Sequence, residues 1–267
     1  MIYEMHEYDK GDVPWLKSLW YDAFGDEPSL VNAFFELLPS MGTGIVAEFY
    51  GELFGAAYVL NAELYIPNEP PKKLAYIYGV AVDKQFQGQG IGTQLVRSCI
   101  RHARDQGADI CCTLPAEPSL YDWYAKSCSL VTASYCTLDE VFPSARDIEI
   151  QELYADEYSY RRIDLLAGRP YVSLYYDWLR FQEVIFKTYG GGFYAYKGGI
   201  ACGYLDGDTL LIKEALNDAP EFIPALCRKL GARKAVVRRA SASGQPYIAA
   251  CKNDSYPADA VWDISLD

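Results

Sequence analysis

Between Tyr76 and Gly107 the spacing of apolar residues changes its period twice. Tyr76-Ile77-Tyr78-Gly79-Val80-Ala81-Val82 is a continuous β-branched and aromatic run, the pattern of a buried strand. Asp83 to Gly90 breaks that pattern, and Gly88, Gly90 and Gly92 stand at alternate positions. From Gly92 onward Leu95, Val96, Cys99, Ile100 and Ala103 recur at three- and four-residue steps, which predicts a helix that Gly107 stops.

The flanking chain reads as further strands and helices. Asp12 suits an N-cap with Pro14 in the first turn, ahead of a stripe of Leu16, Leu19, Trp20 and Phe24. A second helix runs from about Pro28 to Leu38, where Pro39 should end it. Residues 44–49 and 53–64 form two strands joined at Tyr50-Gly51-Glu52. A strand over 108–114, a helix over 118–127 and a strand over 130–138 follow. The later chain gives a helix over 173–187, strands over 192–203 and 209–216, a helix over 219–230 and a strand over 234–238.

Composition narrows the partners. The chain has 267 residues, 51% hydrophobic and 22% charged, as in a soluble globular protein. The N-terminal residues lack the basic and apolar regions of a signal peptide, and no apolar run is long enough to span a membrane. The eight cysteines form no C-x-x-C pair, so reduced core cysteines in a cytoplasmic protein, without metal, are expected. A net charge of -12 argues against nucleic acid and suits a cationic substrate such as an amine.

Strand, glycine loop and helix together aim backbone N–H groups and a helix N-terminus at an anion. The helix dipole supplies only about 0.3–1 kcal/mol, so several N–H bonds must act together. There is no GKS or GKT after the glycines, which excludes a nucleotide P-loop, and the spacing is not G-x-G-x-x-G. Gln85-Phe86-Gln87-Gly88-Gln89-Gly90, directly after the strand, resembles the Q/R-x-x-G-x-G/A acyl-CoA loop of the GNAT superfamily of N-acyltransferases. The resemblance implies that the backbone of Val80, Ala81 and Val82 lies along the pantetheine. It also places the pyrophosphate against Gln85, Gln87, Gly88, Gln89, Gly90, Ile91, Gly92 and Thr93.

Trp123-Tyr124-Ala125-Lys126 is similar to the F-Y-x-K segment of the same family, in which the tyrosine protonates the departing thiolate. Tyr124 is thus the candidate general acid, against the reading of a core aromatic in a chain with 23 tyrosines. Cys128 and Ser129 depart from the family's Gly-Phe. The strand glutamate that many members use as base is Tyr78 here. Glu48, Glu52 and Glu63 remain as alternatives to a water chain, and His6 and His102 read as structural.

Gly192 to Gly203 lines up with Gly44 to Gly55 at a constant offset, matching Gly44/Gly192, Ala47/Ala195, Gly51/Gly199 and Gly55/Gly203. The place of the signature loop is taken by Asn217-Asp218-Ala219-Pro220-Glu221, without glycines. The expected architecture is therefore an α/β (α+β) GNAT fold, a mixed and mostly antiparallel sheet flanked by helices, as two modules in tandem. Residues 1–145 form the acyl-CoA domain and 146–267 a degenerate GNAT-like domain. The expected activity is transfer of the acetyl group of acetyl-CoA to a primary amine of a small molecule or peptide. The alternative is a non-catalytic acyl-CoA-binding or assembly protein. Homo-oligomerisation is left open.

Overall fold

The computed structural model describes residues 3–262 and 266. They divide into two compact units that exchange segments. The first comprises the residues up to Leu64, Pro70–Ala133 and Tyr247–Pro257; the second comprises Tyr65–Glu69, Ser134–Pro246 and the residues from Ala258 on.

The first unit follows the order read from the sequence: β1 (Glu4–Glu7), α1 (Val13–Phe24), α2 (Pro28–Met41), β2 (Gly42–Phe49), β3 (Glu52–Tyr65), β4 (Lys72–Val82), α3 (Ile91–Asp105), β5 (Ile110–Thr113), α4 (Pro118–Cys128) and β6 (Leu130–Thr132). Ile91, Leu95, Val96, Cys99 and Ala103 bury one stripe of α3 against Phe54, Ala57, Val59 and Ile77. Each fully buried Leu or Val contributes about 1.5–3 kcal/mol.

Two helix ends differ from expectation. Asp12 stands before α1 but its side chain does not cap that helix; its carboxylate accepts the Asp9 N–H at 2.7 Å, within the preceding 3-10 turn. Pro39 does not end α2, which runs on to Met41. A proline there removes a single ladder bond close to the C-terminus, and Leu38 and Met41 are both fully buried.

The expected strand over 130–138 is two strands in different sheets. β6 ends at Thr132, and β7 (Tyr135–Val141) belongs to the second sheet. The break falls at Ala133, whose N–H donates to Ile248 O at 2.7 Å. The first sheet is completed by β15 (Ala249–Cys251), which pairs with β5 on one side and β6 on the other. The order is β1-β2-β3-β4-β5-β15-β6, antiparallel except for the parallel pair β4–β5.

Besides β7, the second unit holds β8 (Gln151–Leu153), α5 (Ala155–Leu166), β9 (Tyr171–Leu174), α6 (Tyr176–Thr188), β10 (Gly192–Tyr196), β11 (Gly199–Asp206), β12 (Thr209–Leu216), α7 (Phe222–Lys229), β13 (Lys234–Ser241) and β14 (Gln245–Pro246). The helix expected from Ser173 begins at Tyr176, because Ser173 and Leu174 are in β9. The helix expected from Ala219 begins at Phe222. The sheet order is β8-β10-β11-β12-β13-β7-β14, with β12 and β13 parallel around α7 as β4 and β5 are around α3.

The hairpins correct the proposed residue matching. The left-handed turn residues are Tyr50 and Gly51 in one and Lys197 and Gly198 in the other. Gly51 therefore corresponds to Gly198, one residue before the Gly199 that identity alone selects. Gly199 lies in β11, where a Cβ would stand 2.3 Å from Asn217 O.

The core of the second unit contains a charged cluster. Arg162 on α5 donates through Nε to Glu214 Oε1 and Oε2 at 3.0 and 2.9 Å, and through Nη1 to Val172 O at 2.8 Å. The Tyr158 hydroxyl donates to Glu214 Oε2 at 2.5 Å. Both charged side chains are 4% exposed. Removing one partner of such a pair leaves an uncompensated buried charge, at a cost of about 3–5 kcal/mol. Arg162→Met should lower the urea midpoint accordingly, and adding Glu214→Leu should restore part of the loss. An unchanged midpoint in the single variant would show that the pair does not hold this unit.

Candidate functional site

β4 pairs with β3 along its length, but with β5 only over Leu74–Tyr76 against Ile110–Cys112. The Thr113 hydroxyl then donates to Ile77 O at 2.8 Å. Past this point β4 carries a bulge: Ala56 faces Ala81 and Tyr58 faces Tyr78, so one residue of β3 is set against Gly79 and Val80. Gly79 has φ 58°, and a Cβ there would stand 2.9 Å from the Tyr58 ring. Only glycine meets both conditions, which is the G1 type of bulge. A glycine inside an otherwise continuous strand run is the sequence sign of it.

The loop after β4 is built by short local bonds. Asp83 Oδ1 accepts the Gln85 N–H at 2.8 Å, the Phe86 N–H donates to Asp83 O at 2.8 Å, and Gln87 Nε2 donates to Val82 O at 3.0 Å. Gly88 and Gly90 are exposed with φ 75° and 80°, and a Cβ on either would meet no atom within 4 Å. The room that would admit a side chain is thus left free for a ligand. Gly90 is the N-cap of α3, and no side chain caps the helix. The first N–H groups of α3, on Ile91, Gly92 and Thr93, have no intrahelical acceptor.

A cleft of about 470 Å³ opens beside this segment, lined by Val80, Ala81, Val82, Gln85 and Gln87 together with Leu19, Asp22, Ala23 and Phe24 of α1. The cleft therefore joins Val80, Ala81, Val82, Gln85 and Gln87 to the C-terminal turn of α1, while Tyr124 and residues 88–93 are not part of its wall. The α1 residues carry no motif, and more than fifty positions of chain separate them from Val80. Phe24 is 45% exposed.

Tyr124 is 6% exposed, and burial pushes its phenol up to about 12. It is hydrogen-bonded to Thr113, whose own hydroxyl holds Ile77 O. The phenol is thus beside the point where β4 and β5 stop pairing. α4 is anchored by the Tyr121 hydroxyl to Tyr247 O at 2.8 Å and by Arg97 Nε to Ser127 O at 2.9 Å. Lys126 makes an exposed pair with Asp122, worth little. The helix ends at Cys128, and Ser129 takes the left-handed turn with φ 58°.

The carboxylates weighed as a base are not gathered at the cleft. Glu48 accepts the Gly51 N–H at 3.0 Å and lies 3.1 Å from His6 Nε2, so it serves the hairpin. His102 lies 3.6 Å from Glu7. Tyr78 packs among Trp20, Phe34 and Tyr76, with ring centroids 5.8–5.9 Å apart. Asp22 and Asp83 are the carboxylates of the cleft wall.

In the second unit β12 also bulges, at Lys213: Cys202 faces Glu214 and Gly203 faces Ile212. Glu214, next to that bulge, is engaged by Arg162 and Tyr158. The loop after β12 is tied to β13 and to the turn between β10 and β11. Asp218 takes both Arg239 nitrogens at 3.0 and 2.8 Å, and Lys197 at 2.8 Å holds the Glu221 carboxyl down to about 2. Among the described residues no cluster of three or more His, Cys, Asp or Glu is placed to hold a metal, and no helix is long and apolar enough to cross a membrane.

The model of the acetyltransferase (GNAT) domain matches residues 4–125. No curated protein matches the chain. Among solved structures, a conserved protein of unknown function from Enterococcus faecalis aligns over 94% of this chain and 72% of its own, at 14% identity and TM-score 0.72. A GCN5-related N-acetyltransferase from Kribbella flavida aligns over 93% and 70%, at 14% and 0.67. Another from Anabaena variabilis aligns over 93% and 72%, at 12% and 0.67. At such identities the likeness is one of fold. The family match covers β4, the glycine loop and Tyr124, so it is residues 4–125 that are similar to the acetyltransferase (GNAT) domain.

Proposed function

We propose that the chain is an N-acetyltransferase that moves the acetyl group of acetyl-CoA to a primary amine of a small molecule or peptide, by direct attack in a ternary complex. The observation that carries this reading is the open glycine loop at the uncapped N-terminus of α3, continuous with a bulged strand and a cleft. The pyrophosphate is held by N–H groups from Gln87 to Thr93, with Gln85 at the start of the loop. The pantetheine follows the backbone of Val80, Ala81 and Val82. The acyl donor supplies the thioester; the chain orients it and polarises its carbonyl through backbone N–H groups of the strand.

Tyr124 is the proton donor to the departing thiolate. With its phenol near 12 it is fully protonated at neutral pH, as an acid must be. Asp22, on the α1 wall of the cleft, offers a carboxylate to the cationic amine. The base role stays with water, because β4 presents Tyr78 where a carboxylate would act. That same substitution supports the second reading, an acyl-CoA-binding protein without turnover. Release of free thiol from acetyl-CoA in the presence of an amine panel separates the two. Binding without release across the panel would favour the second.

Three outcomes are expected. Gly88→Val or Gly90→Val, with circular dichroism unchanged, should abolish acetyl-CoA binding in calorimetry, because a side chain enters the space the anion needs and strains a left-handed residue. Unaltered affinity in a folded variant would displace the site from this loop. Tyr124→Phe should reduce turnover about 10²–10⁴-fold with acetyl-CoA affinity nearly constant. Full turnover in that variant would return Tyr124 to the core aromatics. Calorimetry should also give one acetyl-CoA per chain. The second unit is a degenerate GNAT-like module whose loop acids are held by Arg239 and Lys197 and would oppose a pyrophosphate. A stoichiometry near two would contradict that assignment.

A further inference from the structure

The first unit brings two cysteines together outside the cleft. β15 lies antiparallel to β5 with Ala249 opposite Thr113 and Ala250 opposite Cys112. One further step of this register sets Cys251 opposite Cys111. Directly opposed residues of an antiparallel pair have Cα atoms about 4.5–5.5 Å apart, inside the range a disulfide requires. The two side chains are hydrogen-bonded to each other, and both are reduced. Cys111 is fully buried, whereas Cys251 is partly exposed.

Charged groups surround the pair. Arg104 forms an ion pair with Asp254, and Asp254 Oδ2 accepts the Cys111 N–H at 2.8 Å. Arg104 also donates to Ala108 O at 2.7 Å. The Cys111 thiol donates to the Cys251 sulfur, which holds Cys251 below the usual thiol range, and Arg104 acts in the same direction. Cys111 is pushed up, by that hydrogen bond and by burial. The partly exposed sulfur therefore carries the thiolate character, and the buried one keeps the proton.

We propose that Cys111 and Cys251 are a redox-active dithiol that a peroxide converts to a cross-strand disulfide. The Cys251 thiolate attacks one peroxide oxygen and breaks the O–O bond, giving a sulfenic acid and hydroxide. The Cys111 sulfur then displaces the sulfenic oxygen, forming the S–S bond, and its proton leaves with that oxygen as water. Two thiols are oxidised to one disulfide and one peroxide is reduced. The bond would enclose every residue from Cys112 to Ala250 in one covalent loop, including the whole run Ser134–Pro246 of the second unit.

The test treats the intact, folded protein with hydrogen peroxide at equimolar and fivefold ratios, then blocks free thiols with iodoacetamide under denaturing conditions. The expected result is six alkylated cysteines in place of eight and a peptide linking Cys111 to Cys251, both reversed when dithiothreitol precedes the block. Cys251→Ser should abolish the link. In wild type under native, unoxidised conditions, Cys251 should be alkylated faster than the other cysteines. A link between other cysteines, oxidation of Cys251 to sulfinic acid without a link, or eight free thiols after treatment would each overturn the proposal.

Discussion

The arrangement depends on the release of β4 from β5. A central strand normally has all its ladder groups paired, and a buried unpaired backbone group costs free energy comparable to a lost hydrogen bond. Here the β5 side of β4 is bonded as far as Tyr76, with one further contact from the Thr113 hydroxyl to Ile77 O. Beyond it, the bulge at Gly79 and Val80 turns the strand while β3 continues to pair on the other side. The part of β4 that no longer pairs with β5 includes Val80, Ala81 and Val82, which line the cleft. The tyrosine assigned to proton transfer is hydrogen-bonded to the same threonine.

The two units show how one connection pattern can hold two different sites. In both, a parallel pair flanks a helix and the strand before that helix bulges. In the first, Gly79 at the bulge packs on the Tyr58 ring, and Val80 and Ala81 after it line the cleft. In the second, Lys213 and Glu214 stand there, and Glu214 is neutralised by Arg162 and hydrogen-bonded by Tyr158. A carboxylate so buried is retained only with partners. The bonds that stabilise this core are therefore made where the first unit has an opening.

Much of this was legible in the sequence. The change of period around Asp83 locates the end of β4 and the start of α3 to within a residue, because a strand, a glycine loop and an amphipathic helix each leave a local signature, whereas β4 begins at Lys72, four residues before the apolar run. The hairpins were legible for the same reason. What failed was non-local or marginal. Residues 130–138 read as one apolar strand, and nothing in their own pattern tells that Ala133 bonds to Ile248. Pro39 reads as a stop because propensity cannot weigh the burial of Met41. Identical glycines pair Gly51 with Gly199, whereas the left-handed turn positions pair it with Gly198. Asp22 and Phe24 reach the cleft through tertiary folding alone.

β15 also sets an order on how the molecule can be made. It occupies the place between β5 and β6, yet it lies more than a hundred residues beyond either in the chain. As the polypeptide leaves a ribosome, β5 and β6 emerge early and wait with two unsatisfied edges, while the entire run from Ser134 to Pro246 is synthesised. The sheet of the first unit is thus among the first parts to appear and among the last to close. Any pause or cleavage upstream of Ala249 leaves its edges open to another chain.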